Sequence, residues 1–319
     1  MKSKLVYSNL YDFRLWGLDK LHPFDAKKFS RAWASLQAAI PNLNDYVLTP
    51  EAPVTDETLR LAHTAGYLET LKTSSAIANV IEVKVARLLP SKILISNLLD
   101  PIRLATQGTL LAAEYAVKNQ ALVMNLGGGF HHAFADHGEG FCFFADAALA
   151  IKKLRHDLSL TSSDLVAMID LDAHRGNGFE SFFAGDEHVA IFDMYNFQVY
   201  PGMHQGDVDD FPFMVPLRSG ISGKDYLAAL SDELPRFLKS LNKPKLVFYN
   251  AGTDVLKGDP LGRLNVEYTD VVERDNYVLR LLRELNVPVV VLTSGGYTSE
   301  SYKLIAECAR SLLACAQKG

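Results

Sequence analysis

A chain of 319 residues with 48% apolar and 22% charged side chains has the balance of a folded globular protein, which excludes a disordered chain, a coiled coil or a small disulfide scaffold. Its 32 Lys and Arg against 37 Asp and Glu leave a formal net charge of −5, so direct nucleic-acid binding is disfavoured. The three Cys have no CxxC spacing and read as reduced core thiols. With no apolar run long enough for a signal h-region or a membrane span, the expected location is the cytoplasm.

In chain order, β-branched and apolar runs alternate with amphipathic stretches. A strand is predicted at Lys4–Tyr7, a helix at Asp25–Ala39, and a surface excursion at Pro41–Pro53. A helix over Ile102–Lys118 leads to a strand at Ala121–Leu126, and a helix over Asp146–Asp157 to one at Leu165–Leu171. A strand at Val189–Phe192, a helix at Lys224–Leu241 and a strand at Leu246–Asn250 follow. The last elements are a helix at Asp270–Leu285, a strand at Pro288–Thr293 and a helix at Ser299–Ala316, in which Cys308 and Cys315 sit among apolar packing positions. Such alternation predicts a single α/β domain over residues 1–319, a mostly parallel sheet with helices on both faces.

Parallel α/β sheets bind ligands beyond the carboxyl ends of their strands, and four of the six predicted strands end in polar residues. After the second strand come Gly127, Gly128, Gly129, Phe130, His131 and His132. The glycines allow a turn closed to other residues, and paired imidazoles suit proton transfer near neutral pH. At the end of the third come Asp170, Asp172 and His174, which extended backbone would direct to one face. Alternating acids there are costly unless a cation meets them, so a divalent metal is expected. Asp254, after the fifth strand, would complete an Asp-His-Asp set. Three protein ligands leave a coordination position open, as in catalytic zinc sites. After the sixth, Tyr297 follows Gly295 and Gly296 and would offer its hydroxyl to an oxyanion.

Together these segments resemble the histone deacetylase family, most closely its class IV branch. The matching stretches are GGGFHHAFADHGEGFCFFAD (127–146), DLDAHRGNG (170–178), DMYNFQVYPG (193–202), YNAGTDVLKGDPLGRL (249–264), TSGGY (293–297) and LHPFDAKK (21–28). The resemblance implies the arginase–deacetylase fold and a zinc-dependent amidohydrolase that removes acyl groups from lysine. It implies Asp172, His174 and Asp254 as zinc ligands, His131 and His132 as the paired imidazoles, and Tyr297 as the carbonyl-polarising hydroxyl. Asp170 would orient His131 and also resembles a ligand of a structural monovalent-cation site, such as K+. Phe141 and Tyr200 would line the channel for the lysine stem, and Gly140 would let the substrate approach closely. Asn177 stands where many members carry a second relay aspartate, and the SGGY loop is one glycine short of the longer family form. Class IV likeness implies long fatty-acyl chains in preference to acetyl, with the glycine turn leaving room beside the acyl pocket. The expected partner is an acyl-lysine protein or peptide, and the alternative is an acetylpolyamine or another small acyl-amine. A two-manganese ureohydrolase would need a further acidic cluster, and a non-enzymatic acyl-lysine-binding protein would need a broken site; neither condition is met.

Overall fold

The computed structural model describes residues 1–14, 24–202 and 211–314. Its strands are β1 (Ser3–Val6), β2 (Val47–Leu48), β3 (Leu122–Asn125), β4 (Val166–Asp170), β5 (Val189–Asn196), β6 (Phe213–Leu217), β7 (Leu246–Asn250) and β8 (Val289–Leu292). They form one eight-stranded sheet in the order β2-β1-β3-β8-β7-β4-β5-β6, and every pairing is parallel.

Strand side chains alternate between two apolar cores, one on each face of the sheet. Val123, Met168, Phe248 and Val290 enter one core, while Met124, Ala167, Val247 and Val291 enter the other, the period of two expected of extended chain. Burial on both faces explains the unbroken apolar run of β8, whose four residues are wholly inaccessible to solvent. The helices Asp100–Asn119 and Asp146–His156 cover the first face. The helices Lys28–Ala39, Gly223–Ser240, Tyr268–Leu285 and Ser301–Ala314 cover the second. Cys142 and Cys308 are buried free thiols, and Cys315 lies outside the described residues. Among the described residues no helix is long and apolar enough to cross a membrane.

Two edge strands depart from the sequence expectation. The stretch Pro41–Pro53, expected as a surface excursion, contains β2, which pairs with β1 at the sheet margin. The other edge strand, β6, carries Pro216 and is only partly buried, so both the proline and the weak apolar alternation hide it. Residues 56–99, for which no element is predicted, fold into short helical turns such as Ala65–Thr70 and Ser74–Val80, each capped by a threonine hydroxyl.

Candidate active site

The four central strands β3, β8, β7 and β4 are neighbours, so the loops after them converge although they come from distant parts of the chain. Asp172, His174 and Asp254 are buried, and their ligand atoms lie within 4.8 Å of one another. His174 Nδ1 is 3.0 Å from Asp172 Oδ1 and 3.0 Å from Asp254 Oδ2. β4 stops at Asp170, so strand alternation does not bring Asp172 and His174 together; the turn after the strand does. Backbone amides fix the two acids: Gly295 N–H donates to Asp172 at 2.8 Å and Ala173 N–H to Asp254 at 2.9 Å. Burial, and after it the charge of Asp172, raises the Asp254 carboxyl to about 7. Two desolvated carboxylates and an imidazole so close together could hold a divalent cation such as zinc. Glycine is required around them. A Cβ on Gly295 would lie 2.1 Å from Asp254 Oδ2, and one on Gly252 would lie 2.4 Å from Asp172 Oδ2.

His131 and His132 are both buried, with ring centroids 4.1 Å apart, but their surroundings differ. His131 Nδ1 is 2.8 Å from Asp170 Oδ2, and Asn250 Nδ2 donates to both oxygens of that carboxylate at 3.0 and 3.1 Å. Burial alone would depress His131, but Asp170 and Asp172 outweigh it and raise its pKa to about 9. His132 Nδ1 meets Asn177 Oδ1 at 2.7 Å. Burial, then the neighbouring His131 and His174, pushes His132 well below its ordinary value. The two neighbouring imidazoles are thus pushed in opposite directions, His131 up by its carboxylates and His132 down by burial.

A cleft of about 350 Å3 opens over the donors, and its walls include His132, Gly140, Phe141, His174, Tyr200 and Tyr297. His131 is not on the wall; it lies behind His132. Tyr200 sets its ring edge-on to His132 at 4.9 Å, and Phe141 meets Tyr297 at 6.1 Å. Gly140 has φ +51° and could not carry a side chain, since a Cβ there would lie 2.6 Å from the His132 ring. Burial, then Asp254 and Asp172, holds the Tyr297 hydroxyl well above its ordinary pKa, so it keeps its proton.

Sequence reasoning misses several supporting residues. Asp146 caps the glycine turn by accepting from Gly129 and Phe130 N–H, both at 2.9 Å. That turn is close-packed rather than roomy: a Cβ on Gly128 would lie 2.4 Å from Asp146, and one on Gly129 2.5 Å from Asn250. The expectation that it leaves space beside the acyl pocket is corrected accordingly. Lys28, fully buried, donates to the Ser294 carbonyl at 2.7 Å and steadies the tyrosine loop. Phe24 of the same N-terminal motif lies edge-on to Tyr297 at 6.1 Å; Leu21, His22 and Pro23 lie outside the described residues. Asp259 accepts from Tyr297 N–H at 2.9 Å and from Gly262 N–H at 3.0 Å, joining two site loops. Arg274, fully buried, donates to the carbonyls of Leu171 and Gly252 at 3.1 and 2.7 Å, bracing the loops that carry the acids.

A family model, the histone deacetylase domain, matches residues 22–313. The chain belongs to the histone deacetylase family. Its parallel eight-stranded sheet with flanking helices is the arginase–deacetylase α/β fold of that domain, and membership makes the protein a hydrolase of the deacetylase type. Histone deacetylase 2 of Arabidopsis thaliana is 37% identical over 313 residues, covering 98% of this chain and 79% of the relative. An uncharacterized protein of Picosynechococcus sp. is 33% identical over 202 residues, covering 63% of this chain and 64% of the relative. Histone deacetylase 8 of Xenopus laevis is 32% identical over 200 residues, covering 59% of this chain and 58% of the relative. The matches to the latter two thus span less than two thirds of those proteins.

Proposed function

We propose that this deacetylase-family protein is a zinc-dependent deacylase of lysine side chains, with the lysine stem held between Phe141 and Tyr200. One observation carries the reading: the Asp172–His174–Asp254 group reaches, through His174, a cleft whose wall also presents His132 and Tyr297. Zinc bound by these three residues supplies a Lewis acid and lowers the pKa of water to about 7. His132 reaches the cleft and takes the proton of the attacking water, because its Nδ1 is occupied by Asn177 and its Nε2 is left to act. The Tyr297 hydroxyl donates to the developing oxyanion. His132 then returns its proton to the departing lysine amine, while His131, held by Asp170, contributes charge from behind.

A monovalent cation such as K+ beside Asp170 belongs to the same reading. Asp170 and Asp193 are register partners on β4 and β5, and both are buried. Asp193 Oδ1 has no hydrogen-bond partner, and like charges paired across strands repel. A cation between these two carboxyl groups would relieve both problems.

The rival substrates and reactions find less support. Among the described residues only one group of three metal-binding side chains occurs, which argues against a two-metal ureohydrolase. Among the described residues the charged side chains of the cleft wall are Glu82 and Arg263, one acid and one base, which gives no support to an acidic collar selecting an acylpolyamine. A panel of acyl-lysine peptides and acylpolyamines tests this, and turnover confined to the polyamines would overturn the protein-lysine reading.

The acyl group is the finer question. A narrow apolar recess of about 40 Å3 lies behind Phe141, lined by Phe13, Phe24, Ile81, Leu98, Phe130 and Phe143 among others. Of its lining side chains only Tyr11 carries a polar group, and that hydroxyl is already bonded to Asn125 at 3.0 Å. Such a lining, together with the class IV resemblance, supports long acyl chains over acetyl. Four buried methylenes at about 0.8 kcal/mol each correspond to about 200-fold before ordering costs. We therefore expect kcat/KM for an octanoyl peptide to exceed that for acetyl at least about 10-fold. A steady fall from acetyl through octanoyl to myristoyl would show that the recess stays closed.

A further inference from the structure

We propose that Glu139 is a positioning residue that fixes the tautomer of His132 through Asn177. The inference rests on the reading of His132 as the base, and it concerns a residue to which that reading gives no part.

Asn177 is the partner of His132 Nδ1, and an amide can face an imidazole in two ways. With its oxygen toward the ring, Nδ1 must carry the proton and Nε2 is the free base. With its nitrogen toward the ring, Nδ1 is the acceptor, Nε2 carries the proton, and no base faces the cleft. Nothing in Asn177 itself selects between them. Glu139 does. Its Oε1 is 2.8 Å from Asn177 Nδ2, and a carboxylate only accepts, so the amide nitrogen must point to Glu139 and the oxygen to His132. A flipped amide would lose this bond and set its oxygen against the carboxylate.

Glu139 is itself held in place. Cys142 N–H donates to the Glu139 carbonyl at 2.8 Å, closing a tight turn in which Gly140 and Phe141 both adopt positive φ, +51° and +66°. The same turn sets Phe141 on the cleft wall, so channel and tautomer are specified together. Around the carboxylate lie His137, whose Nε2 is 3.7 Å away, the exposed Glu82, and the hydroxyl of Tyr200. The chain thus places a carboxylate behind this histidine, one residue further out than Asn177.

The test uses the full zinc-loaded chain with 15N-labelled histidine. In the parent, the His132 nitrogen shifts should report a proton on Nδ1, and E139L should give a mixture of tautomers. That readout needs no substrate, so it stands even if the deacylase assignment fails. In kinetics on the best acyl-lysine peptide, E139L should lower kcat about 10-fold, the size of one lost hydrogen bond to a charged group, with KM within about twofold. E139Q, which retains an acceptor for the Asn177 amide, should stay within about threefold of the parent. The decisive arm is N177D. In the E139L background it should raise kcat, because a carboxylate accepts from Nδ1–H through either oxygen; in the parent it should lower kcat, because two carboxylates would then face each other. A His132 protonated on Nε2 in the parent, a tautomer unchanged in E139L, or an N177D effect of the same sign in both backgrounds would overturn the proposal.

Discussion

D254N is expected to strip the protein of its metal and its activity while leaving the fold intact. The asparagine can still accept from Ala173 N–H, which bonds Asp254 Oδ1 at 2.9 Å in the parent. It cannot supply the second anionic donor of a set whose atoms lie within 4.8 Å. Metal polarisation is worth several kcal/mol, so kcat/KM should fall by about 1000-fold or more. Removing one of two buried neighbouring carboxylates also relieves repulsion, so the thermal midpoint in chelator should not fall below that of the chelated parent. Full activity with a full zinc complement in this variant would remove Asp254 from the ligand set.

Y297F is expected to lose about 100- to 1000-fold in kcat, the usual consequence of deleting one oxyanion donor. Zinc content should be unchanged, because the hydroxyl is outside the donor group. KM should change little, since the ring remains against Phe141 and Phe24, each with its centroid 6.1 Å away. Near-full turnover on every substrate would reduce Tyr297 to a packing role.

The legibility of this molecule follows the range of its interactions. Buried parallel strands declare themselves locally: Leu246–Asn250 is read to the residue, and Val289–Leu292 lies one residue inside the predicted limits at each end. Edge strands do not, because Val47–Leu48 is only two residues long and Phe213–Leu217 is partly exposed and carries Pro216. The predicted end of β4 runs one residue too far, because the acids that mark the site also continue the apparent alternation beyond Asp170. Metal-type side chains after strand ends are visible because buried acids need a cation or hydrogen-bond donors to offset their desolvation. Their supports are not. The bond from Asn177 to Glu139 spans 38 residues and that from Lys28 to Ser294 spans 266, and no local pattern announces either. The glycine turn shows the same limit: its need for glycine is legible, but that its space is filled by Asp146, Thr109 and Asn250 is a tertiary fact.

The proposed mechanism stands on one zinc, held by Asp172, His174 and Asp254 and required to cleave acyl-lysine. Its most direct measurement is a titration: strip the protein with chelator, return zinc in substoichiometric steps, and follow bound metal and acyl-lysine hydrolysis together. Hydrolysis should fall to background after stripping and return in proportion to zinc, reaching its plateau at about one equivalent per chain. Hydrolysis that persists after exhaustive removal of metal would contradict the mechanism.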